Sequence, residues 1–111
     1  MPNNIVDVFV NNETGSVTCD PDILETGKSW RKFRVYWRMV TEGWEIHDIT
    51  APDGAPLDPE VFYDPKKNGR GWRMKDKNPK PGDYEYVVHV RRIGSDECIA
   101  HDPVIRNGGR R

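Results

Sequence analysis

The stretch PGDYEYVVHVRR, residues 81–92, decides the fold class of this chain. From Tyr84 to Val90 every second residue is tyrosine or valine, and this period of two is typical of a β-strand with one buried face. Residues 94–95, Gly-Ser, form a short turn signal, so residues 97–101 are predicted to return as the next antiparallel strand. The second half of the chain therefore contains a β-hairpin.

The remainder of the chain is divided into short segments in the same way. Nine prolines and ten glycines interrupt its 111 residues, and helical spacing of apolar residues is nearly absent. Further strands are predicted at residues 5–10, 16–19, 30–40, 44–48, 60–63 and 71–75. The first two of these are predicted to form a hairpin, and so are the next two. In the segment 30–40, Trp37 lies on the apolar face and should be buried.

Strands of this number and length suit an all-β fold. About seven short strands, each with one apolar face, can bury those faces in two packed antiparallel sheets, and a barrel is the main alternative. The length of 111 residues suits one hydrophobic core. We therefore predict a single domain over residues 1–106, followed by a flexible C-terminal tail at residues 107–111.

Residues 81–86, PGDYEY, favour the sandwich over the barrel. They resemble the start of strand F in immunoglobulin-like domains, with Tyr84 at the position of the tyrosine corner. Tyr86 stands where those domains usually have a cysteine, and Trp37 could fill the core in place of a disulfide. The resemblance implies a single immunoglobulin-like antiparallel β-sandwich of about seven strands, and it carries no function.

The C-terminal motif HDPVIRN, residues 101–107, carries a second resemblance. It is similar to the closing motif of the DP-EP family of small bacterial proteins, a group without an established activity. The tryptophan-containing segment 30–40 and the pattern PGxYxYxVxV at residues 81–90 lie in a compatible order. This resemblance also implies a sandwich fold, and it brings no catalytic residues to this chain.

Charge and cysteine content narrow the partners and the compartment. Seventeen basic and eighteen acidic residues leave a net charge of −1, which argues against nucleic acid and membrane surfaces as partners. The N-terminus has no basic segment followed by an apolar stretch, so a cytoplasmic location is expected unless an export signal has been removed. In the cytoplasm Cys19 and Cys98 should remain thiols.

No motif for catalysis or metal binding stands out. Cys98, His101 and Asp102 are close in sequence, but residues three apart on a strand point to opposite faces, so we interpret Cys98 as a small buried residue. The repeated Asp-Pro pairs are interpreted as turns rather than as a calcium site. Since no nucleophile elbow or phosphate loop is present, we predict no enzyme activity, no metal and no cofactor.

The aromatic and basic segment at residues 63–77 is the candidate binding site. Exposed aromatic rings beside cations can stack on a base, a sugar ring or a partner peptide. The candidate ligand-binding or partner-binding residues are Tyr63, Arg70, Trp72 and Arg73. The competing interpretation is that Trp72 points into the core while Arg73 points to solvent, as strand alternation would place them.

These observations favour a non-catalytic protein-binding or assembly module. Antiparallel sandwiches offer edge strands and loops to partners, so a protein partner or self-association is expected. The alternative is a small-ligand or carbohydrate-binding domain that uses the aromatic and basic loop surface. An enzyme with an unrecognised site is the third class.

Overall fold

The fold is known from a computed structural model that describes residues 4–26, 33–79 and 81–108. Within these ranges the chain forms β-strands and no helix, so the all-β prediction is confirmed. These ranges accordingly contain no helix that could span a membrane. The strands are β1 (Ile5–Asn11), β2 (Ser16–Asp20), β3 (Ile23–Glu25), β4 (Phe33–Met39), β5 (Trp44–Thr50), β6 (Phe62–Asn68), β7 (Gly71–Asp76), β8 (Pro81–Glu85), β9 (Val87–Arg92), β10 (Cys98–His101) and β11 (Val104–Gly108).

The strands form three sheets rather than the two that were predicted. The first has the order β2-β1-β4-β7-β6, the second β10-β9-β5 and the third β3-β11-β8. The eleven strands exceed the predicted seven partly because the segment 81–92 breaks at Tyr86 into β8 and β9, which pair with different neighbours. The predicted strand at residues 97–101 corresponds to β10, and β11 follows as a separate strand after Pro103.

The prediction of purely antiparallel sheets is wrong for two strand pairs. β1 pairs in parallel with β4, and β3 pairs in parallel with β11. One edge of β1 is already taken by its antiparallel partner β2, so the chain must cross over before β4 can reach the other edge. The hairpins β1–β2 and β9–β10 agree with the sequence prediction.

The predicted hairpin between β4 and β5 is wrong. β4 pairs with β1 and β7, whereas β5 pairs with β9 in another sheet. Both strands bury an apolar face, and Trp37 of β4 and Trp44 of β5 are each only 1% exposed. Two strands that face the same core from opposite sheets therefore show the same alternation as two strands of one hairpin.

The centre of the core is the aromatic pair Trp37 and Tyr86, as the sequence predicted. The indole Nε1 of Trp37 donates a hydrogen bond of 2.9 Å to the Tyr86 hydroxyl, and the ring centroids lie 5.6 Å apart in an edge-on arrangement. Tyr84 differs from the expectation for a tyrosine corner. It is half-buried against Phe62, and its hydroxyl bonds to none of the described residues.

The C-terminal strand β11 continues to Gly108, two residues past the end of the predicted domain at residue 106. Asn107 is 2% exposed and donates a hydrogen bond of 3.0 Å from Nδ2 to Oδ1 of the buried Asp76. Thr26 joins this buried polar cluster through its hydroxyl, which donates to Oδ1 of Asn107. Residues 109–111 of the predicted tail lie outside the described part of the chain.

Candidate ligand-binding cleft

A cleft of about 420 Å³ opens between β5 on one side and β6 and β7 on the other. The loop of residues 51–61 supplies another part of its wall. Most of the cleft surface is apolar, and several of the side chains that line it also belong to the hydrophobic core. We call it the Trp72 cleft, after its largest side chain; its main apolar lining is Ile49, Leu57, Phe62, Tyr63, Trp72 and Met74.

Hydrogen bonds within the loop of residues 51–61 fix this part of the wall. The Ala51 amide donates to the carbonyl oxygen of Ala55 (2.8 Å), and the Phe62 amide donates to that of Asp58 (2.8 Å). The Asp58 carboxylate also accepts a bond of 2.9 Å from the Glu60 amide, which is the turn chemistry expected of aspartate before proline. Leu57 is 7% exposed and anchors the loop, so the cleft is formed without a ligand.

Two of the strands that border the cleft, β5 and β6, depart from regular pairing. In β5 the register shifts between Ile46 and Asp48, and in β6 it shifts between Tyr63 and Lys66. Regular alternation from Ile46 would turn Asp48 toward the core, but the bulge turns Ile49 inward and leaves Asp48 half-buried in the cleft wall. The bulges thus bring acidic side chains to an apolar cleft.

The two carboxylates of the cleft differ in their partners. Asp64, in β6, lies 3.2 Å from Nζ of Lys75 and 3.8 Å from Nζ of Lys66. The hydrogen bond from Lys75 is the main cause that lowers the pKa of Asp64. Asp48 accepts one hydrogen bond of 2.8 Å from the Ile49 amide and has no ion pair with any described residue. Asp48 therefore offers the uncompensated negative charge of the cleft.

Trp72 supplies an unused hydrogen-bond donor. Its ring packs against the core while lining the cleft, and its Nε1 is buried without an acceptor among the described residues. A buried donor left unpaired costs about 1–3 kcal/mol. This nitrogen has almost no accessible surface, so a ligand in the cleft meets the indole ring rather than the N–H.

The structure brings together two of the four predicted site residues. Tyr63 and Trp72 both line the Trp72 cleft. Arg73 points to the other face of β7 and lines a separate polar depression. Arg70 lies in the turn before β7, where its guanidinium donates to the carbonyl oxygens of Thr41 (2.8 Å) and Trp44 (3.3 Å). Strand alternation thus separates Trp72 from Arg73, as the competing interpretation held.

The ammonium groups of two lysines lie over the ring of Tyr63. Nζ of Lys75 lies 5.7 Å from the ring centroid of Tyr63, and Nζ of Lys77 lies 5.2 Å from it. These cation–π contacts fix the tyrosine at the border between the cleft and the outer face of the sheet. The aromatic and basic segment therefore contributes to two surfaces. One is apolar and contains carboxylates, and the other is basic.

Sequence reasoning missed Asp48 and the loop wall. A signal for Asp48 was available, because a charged residue at an inward position of an alternating strand is typical of a bulge. The loop gave no such signal, since its prolines and aspartates indicate turns without saying where the turns fold.

The cysteine and histidine candidates do not come together. Cys98 is exposed, so the expectation that it is buried was wrong, and Cys19 is the buried cysteine. Nε2 of His101 lies 2.6 Å from Oδ1 of Asp22. Across residues 4–26, 33–79 and 81–108, no group of three histidine, cysteine or acidic side chains is arranged to hold a metal ion.

The comparisons with known proteins assign no role to the cleft. It matches no family model, and no curated protein shows significant similarity to it. The chemistry of the cleft therefore rests on its own groups, which are an apolar wall and one uncompensated carboxylate. Such a set can bind a ligand without reacting with it.

Proposed function

We propose that this protein is a non-catalytic protein-binding or assembly module and that the Trp72 cleft is its binding surface. The observation that carries the proposal is an apolar cleft of about 420 Å³ whose wall contains the uncompensated carboxylate of Asp48. Binding sites in proteins commonly combine apolar walls with a few placed polar groups and fall in this range of volume. The expected partner is a protein rather than nucleic acid or a membrane.

The hydroxyl of Thr50, which lines the cleft and lies beside His89, supports a non-catalytic role. Thr50 Oγ1 donates its proton to the carbonyl oxygen of Ala51 (2.9 Å) and lies 2.8 Å from Nε2 of His89. With the hydroxyl proton on the Ala51 carbonyl, Thr50 Oγ1 accepts from Nε2–H of His89 in the second bond. In this arrangement His89 is not a base toward Thr50.

Selection from a random peptide library displayed on phage tests this proposal. Peptides enriched on the wild-type protein are expected to lose binding to Trp72→Ala, because that change removes one wall of the cleft. Arg73→Ala, on the opposite face of the same strand, is the matched control and should retain binding. The amide NMR spectrum of each variant establishes that it is folded.

The outcome of the selection separates the two classes of ligand. No enrichment above background on the wild-type protein would contradict the protein-binding proposal. In that case a glycan panel, monitored by tryptophan fluorescence, tests the alternative of a small-ligand or carbohydrate-binding domain. The aromatic wall formed by Tyr63 and Trp72 favours this alternative, since sugar rings stack on such side chains.

Self-association is the form of assembly that we propose. Two exposed apolar residues that lie side by side, Phe9 and Val40, support it. Phe9 is 37% exposed and Val40 is 43% exposed. The Val40 amide donates a hydrogen bond of 2.9 Å to the carbonyl oxygen of Val8, which places Val40 beside Phe9 on the neighbouring strand. A second copy related by a two-fold axis would cover this pair with its own.

We expect a concentration-dependent dimer in analytical ultracentrifugation of the wild-type protein. Phe9→Ser should shift the equilibrium toward monomer, because it removes the larger apolar side chain of the pair. Ile93→Ser is the matched control, since Ile93 is 49% exposed in the turn between β9 and β10. A wild-type protein that sediments as a monomer at every concentration would rule out self-association and leave the cleft proposal standing.

For the fold we propose an immunoglobulin-like sandwich. The neighbours β1, β4, β7 and β6 have the order of strands A, B, E and D, and β5, β9 and β10 have that of C, F and G. With β8–β9 and β10–β11 each counted as one bent strand, seven strands remain besides β2 and β3. The parallel pairing of β1 with β4 is a departure from this pattern. An experimental structure with β5 and β4 in one sheet would contradict the assignment.

We also propose membership of the DP-EP family, supported by what its motif does at residues 101–107. Pro103 is buried at the corner between β10 and β11, and its carbonyl oxygen accepts a bond of 3.2 Å from the Tyr86 amide. Arg106 pairs with Asp83 (2.9 Å). If members of that family with this motif prove to have a different fold, the proposal is wrong.

A cytoplasmic location is proposed on the state of the cysteines. Both cysteines are free, and Cys98 is exposed, which suits a reducing compartment. Burial raises the pKa of Cys19 to about 12, so this thiol should react with thiol reagents only slowly. Titration of the native protein from its source cells should therefore give one fast and one slow thiol, and finding no thiol would contradict the proposal.

A further inference from the structure

The charges around the Trp72 cleft are one-sided. Asp48 and Asp64 line it, whereas none of the described residues that line it is lysine or arginine. Composition does not explain this, because the chain has 17 basic and 18 acidic residues. Three basic side chains of the segment 63–77, Lys66, Arg73 and Lys75, instead line a neighbouring depression together with Arg34. The apolar cleft is thus complementary to a cation.

Asp48 is the carboxylate that a cationic ligand can use. Asp64 already lies between Lys66 and Lys75, so its charge is largely compensated. The one hydrogen bond of Asp48 comes from a backbone amide, which leaves its net charge in place. In an apolar wall that charge is less screened than on an open surface, and a cation beside it gains more.

Trp72 adds a second requirement for the ligand. Its indole face attracts a cation, and a guanidinium also stacks on it because both groups are planar. An arginine side chain supplies the charge for Asp48 and the planar cation for Trp72 together, whereas a neutral sugar supplies no charge.

We propose that the Trp72 cleft binds an extended segment of a partner protein through an arginine side chain. In this complex the guanidinium stacks on Trp72 and pairs with Asp48. The inference rests on the proposed protein-binding function and specifies the chemistry of the partner. It also explains why the lining of the cleft has acidic but no basic side chains.

NMR titration with two blocked pentapeptides tests the proposal. The probes are acetyl-Ala-Ala-Arg-Ala-Ala-amide and the same peptide with citrulline, which keeps the shape of arginine and lacks its charge. The arginine peptide is expected to bind roughly tenfold more tightly, the affinity ratio that one charge pair of about 1.4 kcal/mol gives. Equal dissociation constants for the two peptides would overturn the proposal.

Three variants assign the contacts. Asp48→Asn should weaken the arginine peptide roughly tenfold and leave the citrulline peptide unchanged, since it removes the charge pair alone. Trp72→Ala removes the stacking surface and should weaken both peptides. Asp102→Asn removes an exposed carboxylate that does not line the cleft, and should change neither. An arginine peptide that binds Asp48→Asn as tightly as wild type would show that the assignment of the charge is wrong.

The phage selection described above separates this inference from the proposed function. Selected peptides that depend on Trp72 but contain no basic residue would overturn the arginine proposal and leave the protein-binding function standing. A second outcome is that the blocked arginine peptide binds but the selection enriches no peptide. That outcome would contradict the proposal that a protein segment is recognised.

Discussion

Gly71→Ala is expected to lower the free energy of unfolding by about 3 kcal/mol, the upper part of the range for overpacked sites. A Cβ atom on Gly71 would lie 2.2 Å from the carbonyl oxygen of Trp37, an atom of the neighbouring strand β4. That distance is far inside van der Waals contact, and a backbone atom cannot move aside as a flexible side chain can. The neighbouring strands β4 and β7 of the five-stranded sheet must therefore separate locally. Chemical denaturation measures the loss.

Gly82→Ala is the matched control for this change. Gly82 also lies in a strand, but a Cβ there would approach nothing closer than the Tyr84 ring at 3.5 Å, which is ordinary contact. Its effect should therefore be small. Because Gly71 precedes Trp72, the variant should also disturb the wall of the cleft. Equal stabilities of the two variants would show that β4 and β7 are not packed as closely as described.

Local strand patterns could be read from the sequence, because alternation is a property of neighbouring residues. The hairpin of β1 and β2 was predicted in this way. So was β-structure at residues 83–92, although the single strand predicted there is two strands, β8 and β9. The assignment of strands to sheets could not be read, since β4 and β5 present the same alternation whether they pair or face each other across the core. The break at Tyr86 had a weak signal in the consecutive apolar residues 86–88.

The candidate site was predictable only in part, for a related reason. Tyr63 and Trp72 were recognised as aromatic residues near turns, and they do line one cleft. Arg73 was grouped with them because sequence distance ignores which face of β7 a side chain takes. Asp48 reaches the cleft through a bulge, which depends on pairing with β9 and so on the tertiary fold.

The contribution of Asp76 to the stability of the protein is expected to fall as the pH rises from about 4 to about 6. This residue is fully buried; its Oδ1 accepts bonds from the Asn78 amide (2.7 Å) and from Nδ2 of Asn107 (3.0 Å), and its Oδ2 has no partner among the described residues. Burial raises the pKa of Asp76 from 3.8 to about 6, against the smaller opposite effect of the two hydrogen bonds. Between these values the folded state holds a proton that the unfolded state has lost. Raising the pH through this window therefore removes stability, by about 3 kcal/mol in total.

Asp76→Asn isolates this effect, since an amide keeps the oxygen acceptor and cannot ionise. The free energy of unfolding of the wild type minus that of the variant should fall by about 3 kcal/mol between pH 3.5 and pH 7. Burial, followed by the charge of Arg91, lowers the pKa of His47, which gives a pH dependence of the opposite sign. That contribution cancels in the difference because both proteins keep His47. Asp102→Asn, which removes an exposed carboxylate, is the matched control. A difference between wild type and Asp76→Asn that stays constant across this range would mean that Asp76 is already ionised in the folded protein at pH 4.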